Sequence, residues 1–158
     1  MLFLIACNVH HKKSVKEILE QKAAYYYNHN IYSQAIYYLD SLIALDSTKG
    51  EYYFERAHCY DKLYSTKAFP DYSKAIELNY RVADVYYNLG IDATIANKDS
   101  VALLFFYKVL KTDSSKYDEV TPLINMCKSH IEFEKTNVFK ELQEYKKKYN
   151  QTPEPIAK

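Results

Sequence analysis

Apolar residues recur every three or four positions along most of the chain, and short polar breaks separate the apolar stretches. Residues 79–114 show the pattern most clearly, as two amphipathic stretches on either side of Ala96-Asn97-Lys98-Asp99. Apolar positions at this spacing share one face of an α-helix, so each stretch predicts a helix that buries one side. Asn97 tolerates the left-handed conformation of a helix end, and Asp99 or Ser100 can cap the next helix. The pattern therefore predicts a helical hairpin.

The hairpin pattern recurs with a period of about 34 residues. Small residues stand in phase in the paired helices, and large ones occupy other repeated positions. The small ones are Ala23, Ala57 and Gly90 in the first helices and Ala35, Ala68 and Ala102 in the second; the large ones are Tyr53, Tyr86, Tyr72 and Phe106. Small residues let two helices approach closely, and large ones fill the space to the next hairpin. Because one hairpin cannot bury its apolar face alone, the units are predicted to share a core.

The segment at residues 71–90, DYSKAIELNYRVADVYYNLG, closely resembles a tetratricopeptide repeat (TPR). The resemblance implies an all-α fold, a right-handed superhelical stack of antiparallel helix hairpins. The stack is expected to comprise three TPR-like units and a partial fourth made of capping helices. The chain departs from the family pattern in several ways. Ser47, Tyr80 and Ser114 replace the proline usual between repeats, and there is no tryptophan. The middle unit is one residue short, and Pro70 stands early in its second helix.

The boundaries follow from caps and breaks. Ser14-x-x-Glu17 is a capping box, so the first helix is predicted to begin at Val15. The repeat domain is predicted over residues 14–150, after a short tether at 1–13 and before a disordered tail at 151–158. The hairpins are expected at residues 14–47, 48–79 and 80–114. A further helix is expected at 116–134, with Pro122 in its first turn.

A final helix is expected at residues 137–149, because its residues separate into an apolar and a charged side. The apolar side carries Val138, Leu142, Tyr145 and Tyr149. The opposite side carries Lys140, Glu144 and Lys147. This division is typical of a solubilising cap on a repeat array.

The N-terminus resembles a bacterial lipobox at Leu4-Ile5-Ala6-Cys7, in which the cysteine is lipidated. The resemblance implies a lipoprotein, anchored to a membrane on the periplasmic side of the bacterial cell envelope. A secretory signal normally has a basic region and about 7–15 apolar residues, whereas only Leu2 to Ala6 are apolar here, so the true start could lie upstream. The alternative is an apolar N-terminus on a cytoplasmic protein.

Composition offers no sign of catalysis or of nucleic-acid binding. The formal net charge is +1, without the basic stripe that nucleic acid requires. Two glycines leave no phosphate-binding loop, and we find no catalytic, metal or cofactor motif. Cys59 and Cys127 are expected to be small buried hydrophobes. The chain is therefore predicted to be no enzyme.

The family resemblance implies a binding surface. In TPR arrays the first helices of successive hairpins line a concave groove that holds a partner segment. The predicted partner-binding residues are Tyr27, Phe54, His58, Asp61, Asp84, Tyr87, Asn88 and Ile91. Phe54, His58 and Tyr87 are expected to lie outside the core face. Alternatively, the N-terminal segment or the last helix buries some of these aromatic residues.

Some TPR proteins clamp a C-terminal carboxylate with Lys, Asn and Arg in the groove. This chain has Glu20, Ala24, Phe54, His58, Tyr87 and Ile91 at the corresponding places. Acids and aromatics at these positions favour an apolar or basic protein segment as the partner. We therefore predict a protein–protein interaction scaffold, anchored in the envelope. The alternatives are a cytoplasmic adaptor and a structural subunit that self-associates.

Overall fold

The computed structural model describes the backbone of residues 13–149 and the side chains of residues 13–136 and 140–148. The described chain is helical and forms two compact units, divided between Arg81 and Val82. The first unit holds α1 (Val15–Asn28), α2 (Tyr32–Leu45), α3 (Gly50–Lys62) and α4 (Ala68–Glu77). The second holds α5 (Val82–Ile95), α6 (Asp99–Thr112), a 3-10 turn (Ser114–Lys116), α7 (Tyr117–Lys135) and α8 (Asn137–Tyr149). The predicted all-helical hairpin architecture is confirmed. Cys7, most of the tether and the tail lie outside the described residues.

The hairpin turns are built by left-handed residues that end the first helix of each pair. Asn30, Tyr64 and Asn97 have φ values of 60°, 52° and 55°. At each turn the next amide reaches back to a carbonyl five residues earlier, as in Lys98 N to Ala93 O at 2.8 Å. This is the Schellman arrangement, which satisfies carbonyls that the helix end leaves open. The left-handed conformation costs an ordinary L-residue roughly 1–2 kcal/mol, and Asn tolerates it better than Tyr.

The first helix begins at its predicted cap. Ser14 Oγ accepts from the Glu17 amide at 3.2 Å, and Glu17 Oε2 accepts from the Ser14 amide at 2.6 Å. The ends of α2 and α6 share another device, because Asp46 and Asp113 each accept hydrogen bonds from the residue two positions on. The equivalent hairpins therefore end in equivalent turns.

The core of the first unit lies where α2, α3 and their hairpin partners meet. Ala23, Ala35, Leu39, Leu42, Tyr52 and Cys59 form one buried cluster. Tyr72 on α4 is fully buried, as the repeat phase predicts, whereas Tyr53 is half-buried. The predicted small positions Ala23, Ala57 and Ala68 are all buried. The repeat phase therefore identified where α1–α2 and α3–α4 approach.

The second unit repeats this arrangement with α5, α6 and α7. Ala102, Phe106, Val109, Val120, Ile124 and Cys127 are buried together. Gly90 lies where α5 meets α6, and a Cβ added there would stand 2.5 Å from Phe106 Cε1. The glycine therefore permits a contact that no larger side chain would fit without moving the buried ring.

Two expectations about the C-terminal helices differ from the structure. Pro122 lies inside α7 rather than in its first turn, because the helix already begins at Tyr117. The Thr121 hydroxyl, inside the helix, donates to the Tyr117 carbonyl at 2.6 Å. The described side chains of α8 are exposed, including Leu142 at 47%. Leu142 and Tyr145, the two members of its predicted apolar side whose side chains are described, are therefore not buried.

Candidate functional site

An acidic cavity of about 310 Å³ lies between α1 and α3 in the first unit. It forms beside Ala23 and Ala24, where small side chains on α1 leave space opposite α3. Its lining comprises Glu20, Ala23, Ala24, Leu42, Glu51, Tyr52 and Glu55. Three carboxyl groups thus converge on one concavity, together with the apolar side chains of Ala23, Ala24 and Leu42. Sequence analysis placed Glu20 and Ala24 at groove positions, and both line the cavity, whereas none of the eight predicted partner-binding residues does.

Tyr52 binds Glu20 at one side of the cavity. Tyr52 is 4% exposed, and its hydroxyl donates to Glu20 Oε1 at 2.5 Å. Burial raises the pKa of Tyr52, and the hydrogen bond to Glu20 raises it further, so the phenol stays protonated and keeps donating. Glu20 therefore accepts a hydrogen bond at the wall of the cavity.

Glu55 is the carboxyl group most affected by its surroundings. Its pKa is raised to about 7, mainly because burial disfavours the charged form and also because Glu51 lies one helical turn away. Arg81 opposes the shift. At neutral pH, Glu55 is therefore protonated in a large fraction of molecules, and a cation brought into the cavity would favour its ionised form.

Tyr27 and His58, two predicted partner-binding residues, lie together beside the cavity. The Tyr27 hydroxyl and His58 Nδ1 are 2.9 Å apart. Burial lowers the pKa of His58, with Lys62 and Arg81 acting in the same direction. Burial also raises the pKa of Tyr27, to about 12. The protonated phenol therefore donates to a neutral imidazole at pH 7, and both side chains remain half-buried.

Phe54 corrects the sequence-based expectation, since it belongs to the core rather than to an open groove. It is 5% exposed, with its ring centroid 6.0 Å from that of Tyr72 and 5.9 Å from that of Tyr80. The Arg81 guanidinium lies 4.7 Å from its centroid. Asp61 has an internal role as well, because it accepts a hydrogen bond from the buried Tyr72 hydroxyl. The structure therefore gives both residues structural contacts.

In the second unit, Asp84 and Tyr87 on α5 lie beside the start of α7. Lys116 Nζ is 3.0 Å from Asp84 Oδ1 and 3.3 Å from Glu119 Oε2. The same ammonium lies 5.9 Å from the centroid of the Tyr87 ring. The hydrogen bond to Asp84 raises the pKa of Lys116, so its charge is retained. Asp84 is therefore already paired with Lys116. Tyr87 is half-buried, so only part of its side chain is open to solvent.

The remaining predicted residues of the second unit are also half-buried. Ile91 packs against the α5–α6–α7 core, and Asn88 lies on the same helix. Sequence reasoning missed Glu55, Lys116 and Glu119. Glu55 could have been noticed, because it stands four residues after Glu51 and two acids at that spacing on a helix repel each other. Lys116 could not, since its role depends on how α7 meets α5.

Other chemistry in the described chain is limited. Cys59 and Cys127 are free and buried, and burial raises the pKa of both thiols, to about 12 for Cys59. Thiols of this kind are poor nucleophiles. Residues 13–149 contain no group of three or more His, Cys, Asp or Glu side chains placed to hold a metal ion. No helix within this range is both long and apolar enough to cross a membrane.

Comparison with known proteins supports the fold. No protein-family profile matches the chain, and no curated protein matches its sequence. Several solved structures do match. The Yersinia enterocolitica type III secretion chaperone SycD, in complex with a peptide of the translocator YopD, aligns with a TM-score of 0.66 and 13% identity, covering 74% of this chain and 95% of that one.

Two further structures show the same likeness. The first TPR of Spaghetti (RPAP3), bound to the HSP90 peptide SRMEEVD, has a TM-score of 0.65 and 20% identity, covering 78% of this chain and 98% of that one. The MamA protein has a TM-score of 0.66 and 23% identity, covering 89% of this chain and 80% of that one. The chain therefore has a TPR-like helical-repeat fold, the class of protein that the sequence resemblance implied.

Proposed function

We propose that the chain is a non-enzymatic scaffold that binds a segment of a partner protein, and that the cavity of the first unit receives a basic side chain of that segment. The observation that carries the proposal is the convergence of Glu20, Glu51 and Glu55 on one concavity. Structural neighbours of this fold include two bound to peptides, SycD and RPAP3. Their peptide complexes support a peptide as the kind of ligand.

The charge of the cavity favours a basic partner over an acidic one. The peptide bound to RPAP3 ends in Glu-Glu-Val-Asp and is therefore acidic. Such a peptide would place carboxylates beside three carboxyl groups here, and like charges at short range cost several kcal/mol. A lysine or arginine instead offsets the repulsion between Glu51 and Glu55. The half-buried pair of Tyr27 and His58 adds polar and aromatic contact at the side of the cavity.

Peptide binding tests the proposal directly. The probe is a fluorescein-labelled helical peptide in which turns that contain leucine alternate with turns that contain lysine. It is compared with an otherwise identical peptide in which glutamate replaces lysine, and with the peptide SRMEEVD. We expect fluorescence anisotropy to detect binding of the lysine peptide alone. Replacing both Glu51 and Glu55 with Gln should weaken that binding about tenfold or more, which corresponds to about 1.4 kcal/mol.

The matched control is Glu77→Gln, which removes one carboxylate from an exposed pair with Lys74 on α4. Its affinity for the lysine peptide should equal that of the parent protein. Equal binding of the lysine and glutamate peptides, or an unchanged affinity in the double Gln variant, would contradict the proposed role of the cavity.

The raised pKa of Glu55 predicts a dependence of stability on pH. The folded-state pKa of about 7 exceeds the ordinary value of 4.5. The folded state therefore holds this proton more tightly, and the associated stability is present below about pH 4.5 and lost as the pH rises through about 7. Glu55→Gln imitates the protonated form. We expect it to melt a few degrees higher than the parent near pH 8 and at the same temperature near pH 4.

Thermal unfolding followed by circular dichroism measures this difference, and Glu77→Gln again serves as control. A constant difference between Glu55→Gln and the parent across the pH range would show that Glu55 is not held protonated by its surroundings.

We further propose that the protein is anchored to the bacterial envelope through lipid on Cys7, which lies outside the described residues. The supporting observation is the Leu4-Ile5-Ala6-Cys7 motif. Stable anchoring needs more than one acyl chain, so loss of the modified cysteine should release the protein almost completely. Membrane fractionation of cells expressing Cys7→Ser should find it in the soluble fraction, and unchanged fractionation would argue for the cytoplasmic adaptor.

A further inference from the structure

The turn between α3 and α4 departs from the other hairpin turns in the residue that occupies its left-handed position. Asn30 and Asn97 fill that position in the α1–α2 and α5–α6 turns, whereas Tyr64 fills it here with φ 52°. Asn is the favoured non-glycine residue for this conformation, and an aromatic residue is not. Asn at position 64 would therefore stabilise this turn more than Tyr64 does.

Tyr64 brings no packing to compensate for its conformation. Its side chain is 98% exposed, the most exposed of the large apolar and aromatic residues in the described chain. Leu63 beside it is 45% exposed, and Phe69 at the start of α4 is 60% exposed. A strained position that gives the fold nothing indicates a role outside folding.

The exposed charged side chains around this turn are basic. Lys62 and Lys67 are exposed, and Lys67 Nζ lies 5.9 Å from the centroid of the Tyr60 ring. The neighbouring acids are engaged internally: Asp61 accepts from Tyr72, and Asp71 is buried. Arg56 binds Asp71 through two hydrogen bonds of 2.6 Å. We name Lys62, Leu63, Tyr64, Lys67 and Phe69 the aromatic tip.

We propose that the aromatic tip inserts into the interface of a membrane that contains anionic lipid. Aromatic rings with a polar end settle at the level of the lipid headgroups, and leucine and phenylalanine reach the boundary of the acyl chains. Lysine beside them is attracted to negatively charged headgroups. The combination of exposed apolar, aromatic and cationic side chains at one turn fits that surface. The proposal does not depend on the peptide cavity or on lipidation of Cys7.

Tryptophan fluorescence provides the test, because the chain contains no tryptophan. In Tyr64→Trp, the single indole reports on the tip alone. We expect its emission to shift to the blue and to strengthen when vesicles of phosphatidylcholine with phosphatidylglycerol are added. Vesicles of phosphatidylcholine alone should give a weaker response, and high salt should reduce the response to the anionic vesicles.

A second variant separates the membrane role from folding. Tyr64→Asn should retain or raise the melting temperature, since it restores the residue that the turn favours. Its sedimentation with anionic vesicles should be about tenfold weaker than that of the parent, since most of a ring is no longer withdrawn from water. Tyr37→Asn, which removes an exposed ring from α2, is the matched control and should sediment like the parent.

Three outcomes would overturn the proposal. One is an indole emission that anionic vesicles leave unchanged. Another is undiminished vesicle binding in Tyr64→Asn. The third is a blue shift that grows with protein concentration without lipid, which would identify the tip as a contact between copies of this chain.

Discussion

Phe54→Ala is expected to lower the free energy of unfolding by about 3–5 kcal/mol, the usual cost of removing a buried phenylalanine ring. Phe54 is 5% exposed and lies between the rings of Tyr72 and Tyr80, with the Arg81 guanidinium against its face. Alanine would leave a cavity that the fully buried Tyr72 cannot fill. Since natural domains are stable by only about 5–15 kcal/mol, the loss is a large part of the total.

Urea unfolding followed by circular dichroism measures this loss, and Phe69→Ala is the matched control. Phe69 is 60% exposed on α4, so the same change of side chain should alter the free energy of unfolding by about 0.5 kcal/mol or less. If Phe54→Ala lowered the free energy of unfolding by as little as Phe69→Ala, Phe54 would lie outside the core and could belong to a binding face.

The sequence could not show that Phe54 is buried, because its burial depends on how many helices pack against α3. One apolar stripe was assigned to this helix, through Tyr53 and Ala57. In the structure, α3 packs on both α2 and α4 and buries two stripes. Tyr52 and Cys59 join the α1–α2 core, while Gly50, Phe54 and Ala57 form the second stripe. A helix between two partners has a wider buried arc than the spacing of one repeated position reveals.

The hairpins themselves were predictable because their determinants are local. The small residues of each pair stand one repeat apart, and Asn30 and Asn97 have the left-handed conformation expected from their type. The capping box at Ser14 and Glu17 likewise needs only four consecutive residues. Tyr64 shows the limit of this reasoning, since its residue type argues against the conformation that it adopts.

The sequence indicated the two helices that line the cavity, α1 and α3, but neither its lining on α3 nor its chemistry. None of the eight predicted partner-binding residues lines the cavity. The pKa of Glu55 depends on its burial and on Arg81. Arg81 stands at the start of the next repeat, 26 positions after Glu55 in the chain. Burial of an acid follows from tertiary packing, and the sequence shows only that Glu51 and Glu55 repel each other.

Gly90→Leu is expected to cost about 3 kcal/mol or more, because overpacking of a tight core commonly costs about 1–3 kcal/mol and here even the first added carbon collides. A Cβ at position 90 would lie 2.5 Å from Phe106 Cε1 and 2.8 Å from Cδ1. Phe106 is fully buried, so the ring cannot move aside without displacing its neighbours. Ala102→Phe should have an effect of the same sign, since Ala102 is fully buried in the same core.

The collision with one ring can be tested by a double-mutant cycle. Phe106→Ala alone should lower the free energy of unfolding by about 3–5 kcal/mol through a cavity. Combined with Gly90→Leu, the added leucine would occupy part of that cavity, so the double variant should be more stable than the sum of the two single losses predicts. Coupling energies between contacting residues are about 0.5–3 kcal/mol. Ala44→Leu, at an exposed position of α2, controls for the change to leucine and should alter stability by about 0.5 kcal/mol or less. Additive losses in the double variant would show that Gly90 is required for some other reason than its contact with Phe106.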